Sequence, residues 1–243
     1  MRINIITMFP EIFEAYRGIG PIRNALDKKI LELNLVDLKQ YASSPKEVDD
    51  YPYGGGSGMV IKAEPVLRAL SSIKEKGRII LTSPQGKKFD QELAFKLREE
   101  PTLTILCGRY KGIDERIMPY IDMEISVGDY ILSGGEPAAM IIIDTVVRLL
   151  EGALGDVGSC LTDSIISGIL DAPYYTRPRE INGVKVPSVL LSGNHEEIRK
   201  WRRKEALKRT LIKRPDLLRY ADLTEEDINI LKEIEIEREV YNG

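Results

Sequence analysis

Short apolar runs alternate with amphipathic stretches through residues 1 to 150 of this 243-residue chain. Helical patterns lie between most of these runs, and a strand–helix–strand order produces parallel pairing. The sequence therefore predicts an α/β fold around a largely parallel sheet. Five runs have the length and the β-branched content that are typical of strands: Ile3–Thr7, Leu33–Leu38, Arg78–Leu81, Leu103–Leu106 and Met123–Val127.

The pattern changes beyond residue 153. Residues 154–162 contain glycine and serine with little periodicity, which predicts a flexible interdomain linker. Helical patterns and turns follow to the end of the chain. We therefore expect an α/β domain over residues 1–153 and a small helical domain over residues 163–243.

Two capping-box patterns mark helix starts in the second part of the chain. Asn194 is followed three residues later by Glu197, and Thr224 is followed by Asp227. In such a box the first side chain accepts a hydrogen bond from the backbone N–H three residues on. We expect one helix from Asn194 to about Lys208 and a last helix that starts at Thr224.

Three glycine-bearing turns lie between Cys107 and Met140, where two of the predicted strands end. Glycine at a strand end lets a ligand approach the main chain, whose N–H and C=O groups can read an adenine edge or hold a carboxylate. Strand-to-helix turns also need glycine in any α/β protein, so both interpretations stay open. The glycines concerned are Gly108, Gly112, Gly128, Gly134 and Gly135.

Two well-known nucleotide-binding signatures are missing from the sequence. Gly86-Lys87 lacks the glycine five residues upstream that a phosphate-binding P-loop needs. In the run from Gly54 to Gly58, Met59 occupies the place of the third glycine of a dinucleotide-binding fingerprint, and no apolar strand precedes the run. The glycine turns therefore predict a ligand site of another kind.

Basic residues are concentrated in one segment, although the whole chain has a formal net charge of −3. Residues 199–214 carry nine Lys or Arg and one acid, Glu205, which predicts an anionic partner such as RNA. The alternative is a solvated helix face, but acids spaced for i, i+4 pairing are nearly absent within the segment. The candidate RNA contacts are Arg199, Arg202, Arg203 and Lys208.

The sequence disfavours several other classes of protein. One histidine, His195, and two distant cysteines, Cys107 and Cys160, give no zinc-site spacing. His195 follows the Asn194 cap, which favours a structural or RNA-contacting role over catalysis.

The absence of a secretory pattern and the low cysteine content fit a reduced, cytoplasmic compartment. The longest apolar stretch, Pro137 to Val147, is too short to span a membrane and predicts a helix buried against the sheet or against another chain.

Seven short motifs run almost from end to end of the chain: DDYPYGGG at 49–56, SPQGK at 83–87, CGRY at 107–110, GIDER at 112–116, VGDYILSGGE at 127–136, YTRP at 175–178 and LSGNH at 191–195. In order and spacing they resemble the TrmD family of bacterial tRNA (guanine-N1)-methyltransferases. This family is part of the SPOUT superfamily of S-adenosylmethionine-dependent enzymes, in which the parallel-sheet domain contains a deep trefoil knot. The resemblance therefore implies a knotted first domain and a small helical second domain.

The resemblance also implies where the methyl donor, S-adenosylmethionine, binds. The glycine turns would wrap its adenosine and methionine parts, and Arg109 belongs to the same wall. The implied donor contacts are Leu81, Pro84, Gly108, Tyr110, Val127, Gly128, Asp129, Tyr130, Ile131, Leu132, Gly134 and Gly135.

The implied activity is methylation of N1 of guanosine 37 in tRNA, next to the anticodon. This reaction needs a general base for the N1 proton and a cation for the charge that spreads toward O6. The resemblance assigns these roles to Asp163 and Arg148, although by pattern alone Asp163 is an ordinary helix N-cap. It also implies a homodimer whose active site lies at the subunit interface.

The chain departs from the family pattern at two informative positions and leaves two alternatives. Lys111 stands where members usually have Glu, and Pro137 comes one place early. One alternative is a non-catalytic RNA-binding or ribosome-associated protein, which would lack an intact donor site or the acid at Asp163. The other is a SPOUT enzyme that methylates another atom, such as a ribose 2′-hydroxyl, and needs no such base. The sequence leaves open which tRNAs are substrates and whether Mg²⁺ assists.

Overall fold

The computed structural model of the protein describes residues 1–154, 164, 166 and 168–242. The chain divides into two compact units, residues 1–157 (unit one) and residues 158–243 (unit two). The expected linker at 154–162 lies almost wholly outside the described residues. The expected bounds of the first domain, the linker and the second domain therefore stay predictions.

Unit one contains the predicted sheet. Its strands are β1 (Arg2–Thr7), β2 (Glu32–Asp37), β3 (Asp49–Asp50), β4 (Val60–Ile61), β5 (Arg78–Lys88), β6 (Thr102–Cys107) and β7 (Met123–Ser126). Five of them form one sheet in the order β2-β1-β6-β5-β7, and every neighbouring pair is parallel. Strands β3 and β4 form a separate antiparallel pair. The predicted α/β fold with a parallel sheet is confirmed.

Strand β5 runs well beyond its predicted end at Leu81. Thr82 and Lys87 both lie opposite Ile125 of β7, so the chain between them bulges out of the ladder. Gly86, within this bulge, lies so close to the β7 backbone that no Cβ atom would fit. The predicted strand stopped at Leu81 because the proline and glycine that follow interrupt a strand pattern.

Helices of unit one cover the sheet: α1 (Pro10–Tyr16), α2 (Gly20–Asp27), α3 (Ala63–Ser72), α4 (Gln91–Arg98) and α5 (Glu136–Val147). Because side chains alternate along a strand, Ile6, Leu81 and Leu106 share one face of the sheet, where they join a buried cluster with α3. Helix α5 packs against α2, α4 and β6. The carboxyl ends of β5, β6 and β7 are thereby held side by side on a rigid base.

Helix α5 is buried by its own chain. Most of its apolar side chains are inaccessible to solvent, whereas Ile141 is 43% exposed. Of the two predicted partners for this helix, its own chain covers most of its apolar surface. The face around Ile141 is not covered by the described residues of this chain.

Unit two, over its described residues, contains two long helices and a hairpin. The helices are α6 (His195–Lys213) and α7 (Glu225–Asn242), and the hairpin joins β8 (Glu180–Ile181) to β9 (Val184–Lys185). A small apolar cluster lies between the helices and the chain before the hairpin. Its buried members are Ile169, Ala172, Ala206, Leu207 and Ile234.

Both predicted helix starts of unit two are confirmed. Asn194 Oδ1 accepts a hydrogen bond from the Glu197 backbone N–H at 3.3 Å. Thr224 Oγ1 accepts from the Asp227 N–H at 3.2 Å, and Asp227 Oδ2 accepts from the Thr224 N–H at 2.8 Å, which closes a reciprocal capping box. Helix α6 continues to Lys213, beyond its expected end.

Candidate active site and nucleic-acid interface

The glycine turns that follow β6 and β7 meet at the end of β5. The Gly135 N–H donates a hydrogen bond to the Gly108 carbonyl at 2.7 Å, and Arg109 pairs with Gly134 as an isolated antiparallel bridge. Thr82, at the end of the regular part of β5, accepts from the Gly108 N–H at 3.2 Å. The structure thus brings together the residues of the expected donor site that lie nearest to the sheet.

Close packing between backbones explains why these turns need glycine. A Cβ atom on Gly135 would overlap Thr82 Oγ1 and lie 2.8 Å from the Gly108 nitrogen, and one on Gly108 would lie 2.7 Å from the Thr82 carbonyl oxygen. A Cβ atom on Gly134 would instead meet side-chain atoms, Glu136 Oε2 and, at 2.7 Å, Arg109 Nη1. Close packing therefore accounts for glycine at positions 108 and 135, and the ligand interpretation of the turns stays a prediction. Gly112, by contrast, faces open space.

An apolar rim surrounds this meeting point. Ile131 is 86% exposed and Leu132 is 38% exposed, although both are large apolar side chains. The ring of Tyr130 covers Gly128, and its hydroxyl donates to the Val127 carbonyl at 3.2 Å. Of the remaining expected contacts, Pro84, Tyr110 and Asp129 are also exposed, whereas Leu81 is buried in the core of unit one. Exposed apolar surface beside glycine turns suits a flat heterocycle.

A buried carboxylate, that of Glu136, binds the arginine of the turn after β6. Glu136, the first residue of α5, is 2% exposed; it accepts from Thr7 Oγ1 at 2.9 Å and from Arg109 Nη1 at 3.4 Å. The Arg109 guanidinium lies 4.3 Å from the centre of the Phe9 ring, within range of a cation–π contact. Sequence reasoning missed this role of Glu136. The available signal was an acid at the start of an otherwise apolar helix.

Cys107 is a buried small side chain, as predicted. Burial, together with the neighbouring Glu136 carboxylate, raises the pKa of its thiol well above the ordinary value. The thiol is therefore neutral at physiological pH. It contributes packing at the end of β6.

Lys111 joins the turn after β6 to the glycine-rich loop before β4. Its N–H donates to the Met59 carbonyl at 3.0 Å, and its side chain packs so closely on Gly58 that a Cβ there would lie 2.9 Å from Lys111 Cγ. A long aliphatic stem fits this contact. The departure from the family pattern at this position thus has a local packing role.

Of the two candidate catalytic residues, Arg148 caps the carboxyl end of α5, where its N–H donates to the Asp144 carbonyl at 3.1 Å. Asp163 lies outside the described residues. Asp50, an acid in the DDYPYGGG motif, accepts from the Tyr51 N–H at 2.8 Å and lies 3.6 Å from Lys62 Nζ.

Within residues 1–154, 164, 166 and 168–242, no group of three or more His, Cys, Asp or Glu side chains is arranged to hold a metal ion. No helix in the same part of the chain has the length and apolar character to cross a membrane.

Acids outside the basic segment neutralise part of its charge. Arg199 pairs with Glu196 at 2.9 Å, Arg214 pairs with Asp216 at 2.7 Å, and Lys204 lies 4.0 Å from Glu233. These acids lie outside residues 199–214 in the sequence. Counting charges within the segment alone therefore overstated its unneutralised positive charge. Among the described residues, no ion pair involves Arg202 or Lys208, which leaves both suited to the predicted RNA contact.

Arg203 has a structural partner. Its Nε and Nη2 atoms donate to the two oxygens of Asp227 at 2.6 and 2.7 Å, and Asp227 is 2% exposed. A buried two-point ion pair of this kind joins α6 to α7. Substituting Arg203 would leave a buried charge unpaired, so loss of RNA binding in such a variant would report on stability.

We expect unit two to lose stability in acid because of Asp227. The guanidinium of Arg203 and the hydrogen bonds from Thr224 lower the pKa of Asp227 from 3.8 to about 2. A lowered folded-state pKa stabilises the fold above the unfolded-state pKa, and this contribution disappears as the pH falls from about 4 toward 2. Its size is about 2 kcal/mol. Chemical denaturation across this pH range should show a smaller pH dependence for Asp227→Asn than for the unsubstituted protein, and equal dependence would contradict the assignment.

Comparisons with known proteins identify relatives of the whole chain. The family model for the tRNA (Guanine-1)-methyltransferase TrmD matches residues 1–220. A protein of Dictyoglomus turgidum named tRNA (guanine-N(1)-)-methyltransferase is 50% identical over 239 residues, which cover 98% of each chain. Proteins of the same name from a Sulfurihydrogenibium species and from Listeria welshimeri are 50% identical over 238 residues and 47% identical over 240 residues; each match covers 96% of this chain, with 94% and 98% of the relatives. With its parallel sheet and the meeting of its strand-end turns, the chain therefore belongs to the TrmD family of tRNA (guanine-1)-methyltransferases.

Proposed function

We propose that this chain transfers a methyl group from S-adenosylmethionine to N1 of guanosine 37 of tRNA, the nucleotide next to the anticodon. The observation that carries the proposal is the meeting of the strand-end turns beneath an exposed apolar rim, in a chain whose curated relatives are named for the guanine-N1 reaction. Position 37 follows from the motif resemblance. Because its substrate is tRNA, we place the enzyme in the cytoplasm.

S-adenosylmethionine fits the chemistry of the strand-end turns. Exposed Ile131 and Leu132 offer apolar surface to the faces of an adenine ring, and main-chain groups beside Gly108 and Gly134 offer hydrogen bonds to its edge. Tyr110 and Tyr130 flank the same rim. When bound, the donor supplies an electrophilic methyl group on a sulfonium ion.

We assign Asp163 as the general base. Guanine N1 carries a proton at neutral pH, so its lone pair becomes available for a new N–C bond only as that proton leaves. A carboxylate with a pKa near its reference value of about 4 is ionised at neutral pH and can accept the proton. Negative charge that moves toward O6 would be stabilised by Arg148, at the end of α5. The assignment of Asp163 rests on the motif resemblance.

We propose that two copies of the chain form the active enzyme, with the base of one subunit serving the donor site of the other. Two exposed isoleucines support an interface on adjoining helices, Ile12 of α1 and Ile141 of α5. The Tyr16 hydroxyl of α1 donates to the Met140 carbonyl of α5 at 3.3 Å, which brings these helices together. An apolar patch shared by two helices suits a two-fold contact between identical chains.

We also propose that the chain is knotted in unit one. After β7 at the edge of the sheet, the chain returns past β5, because Gly135 lies against both Thr82 of β5 and Gly108 of β6. Beyond Gly135, α5 packs against β6. Pulling a single molecule from its two ends would test the proposal. A knot would leave the unfolded chain shorter than 243 extended residues, and full extension would contradict it.

Nucleoside mass spectrometry tests the reaction directly. Unmodified tRNA transcript incubated with the protein and S-adenosylmethionine should yield 1-methylguanosine. A transcript with adenosine at position 37 is the matched control and should yield none. Formation of a 2′-O-methylated nucleoside, or of no methylated nucleoside at all, would contradict the proposal.

A further inference from the structure

A cleft of about 640 Å³ opens in unit two, between the segment that follows Pro173 and helix α6. One wall carries Tyr174, Tyr175, Arg177 and Arg179, and the other carries apolar side chains and Arg202. Apart from Arg202, a predicted RNA contact, none of these side chains has a role in the assigned reaction. The cleft therefore needs a separate explanation.

Both rings of the aromatic wall are exposed to solvent. Tyr174 is 76% exposed and Tyr175 is 47% exposed. The Tyr175 ring is braced by Trp201 of α6, with ring centres 6.4 Å apart, whereas no ring contact involves Tyr174 among the described residues. An exposed flat ring beside a braced one offers a surface on which another flat ring can stack.

The arginines of the cleft differ from three other arginines of unit two. Arg199, Arg203 and Arg214 each pair with a carboxylate. Within the described part of the chain, no ion pair or side-chain hydrogen bond engages the guanidinium groups of Arg177, Arg179 or Arg202. Three cations without acidic partners around one cleft favour an anionic ligand.

We propose that this cleft binds an unstacked nucleotide of single-stranded RNA, with the base on Tyr174 and the flanking phosphates at Arg177, Arg179 and Arg202. The inference rests on the proposed function, in which the substrate is RNA, and it adds a contact made by residues other than the assigned base and the donor site. Stacking on an aromatic side chain beside a basic surface is how proteins hold unpaired bases. An acidic peptide would use the arginines but would leave the Tyr174 ring without a flat partner.

Binding of a labelled tRNA anticodon stem-loop to the full-length protein tests the proposal. Tyr174→Ala should raise the Kd about tenfold, because one stacked base loses its platform. Arg202→Gln should lower the slope of log affinity against log salt by about 0.7, the contribution of one phosphate on a single strand. Tyr220→Ala and Arg219→Gln are matched controls, since both residues are exposed in the same unit and neither lines the cleft.

Two further measurements make the outcome decisive. Thermal denaturation should give an unchanged midpoint in all four variants, which verifies that unit two is folded. A photoreactive benzoylphenylalanine in place of Tyr174 should cross-link to the RNA, and excess poly(U) should compete with this cross-link.

The possible results separate the inference from the proposed function. If the unsubstituted protein forms 1-methylguanosine but Tyr174→Ala and Arg202→Gln bind RNA within twofold of it, the cleft proposal is overturned and the proposed function stands. If the cross-link is competed by polyglutamate and not by poly(U), the cleft belongs to a protein partner and the proposal is again overturned. A cross-link to RNA in a protein that methylates no guanosine would support the cleft and refute the proposed function.

Discussion

Asp163→Asn should lower the single-turnover rate of methyl transfer by about two orders of magnitude or more, with near-normal binding of both the donor and tRNA. Asparagine keeps the size of the side chain and its capacity to cap a helix, but it cannot take the N1 proton. Without a base, the guanine N1 lone pair stays engaged in the N–H bond. The chemical step should therefore slow while both binding steps remain.

Rapid-quench measurement of methyl transfer, together with calorimetry for the donor and anisotropy for tRNA, checks this result. Asp222→Asn is a matched control, since Asp222 is an exposed acid of the same unit. A rate within a few-fold of the unsubstituted protein would leave Asp163 as a helix cap. Asp50 would then be the next base to test.

Gly135→Ala should reduce donor affinity more than tenfold and destabilise unit one. A methyl group at this position would overlap Thr82 Oγ1 and approach the Gly108 nitrogen, which is 2.8 Å from the added atom. The turns must separate to admit it, and the 2.7 Å hydrogen bond from Gly135 to Gly108 would be lost. Overpacking of this kind costs about 1 to 3 kcal/mol in unfolding free energy.

Gly18→Ala is the matched control for this substitution. Gly18 has ordinary backbone angles, and the nearest atom to an added Cβ would be the Ala15 carbonyl oxygen at 3.8 Å. Calorimetry and thermal denaturation of both variants would separate the two positions. A folded Gly135→Ala protein with unchanged donor affinity would place the donor elsewhere.

The two variants also test the shared active site. If the base and the donor site of one reaction centre come from different subunits, a mixed dimer of Asp163→Asn and Gly135→Ala contains one intact centre. Random exchange makes half of the dimers mixed, so about a quarter of the original activity should return. No recovery after verified exchange would indicate that each subunit works alone.

The fold was predictable from the sequence to the extent that it depends on local patterns. The apolar runs located the five strands of the sheet, and the Asn194 and Thr224 capping boxes located two helix starts, because these signals involve residues that are near in sequence. The bulge in β5 was not predictable. It arises because Gly86 must pass the backbone of β7, which is a contact between distant residues.

The site was predictable in outline but not in its supporting contacts. Glycine at strand ends indicated where the turns meet, and the motif resemblance supplied the donor residues. The sequence could not show that Glu136 lies beneath Arg109, or that Arg203 pairs with Asp227 across two helices. Both contacts form only in the folded chain, and both change what a substitution would mean.

The Asp227 carboxylate makes α6 and α7 dependent on each other. It accepts two hydrogen bonds from Arg203 of α6 and two from Thr224, the residue that begins α7. Neither helix can unwind at this point without breaking bonds that hold the other. Amide hydrogens in the middle of α6 and in the first turn of α7 should therefore exchange with solvent through one shared opening, with similar protection factors, so that the two helices behave as a single cooperative element.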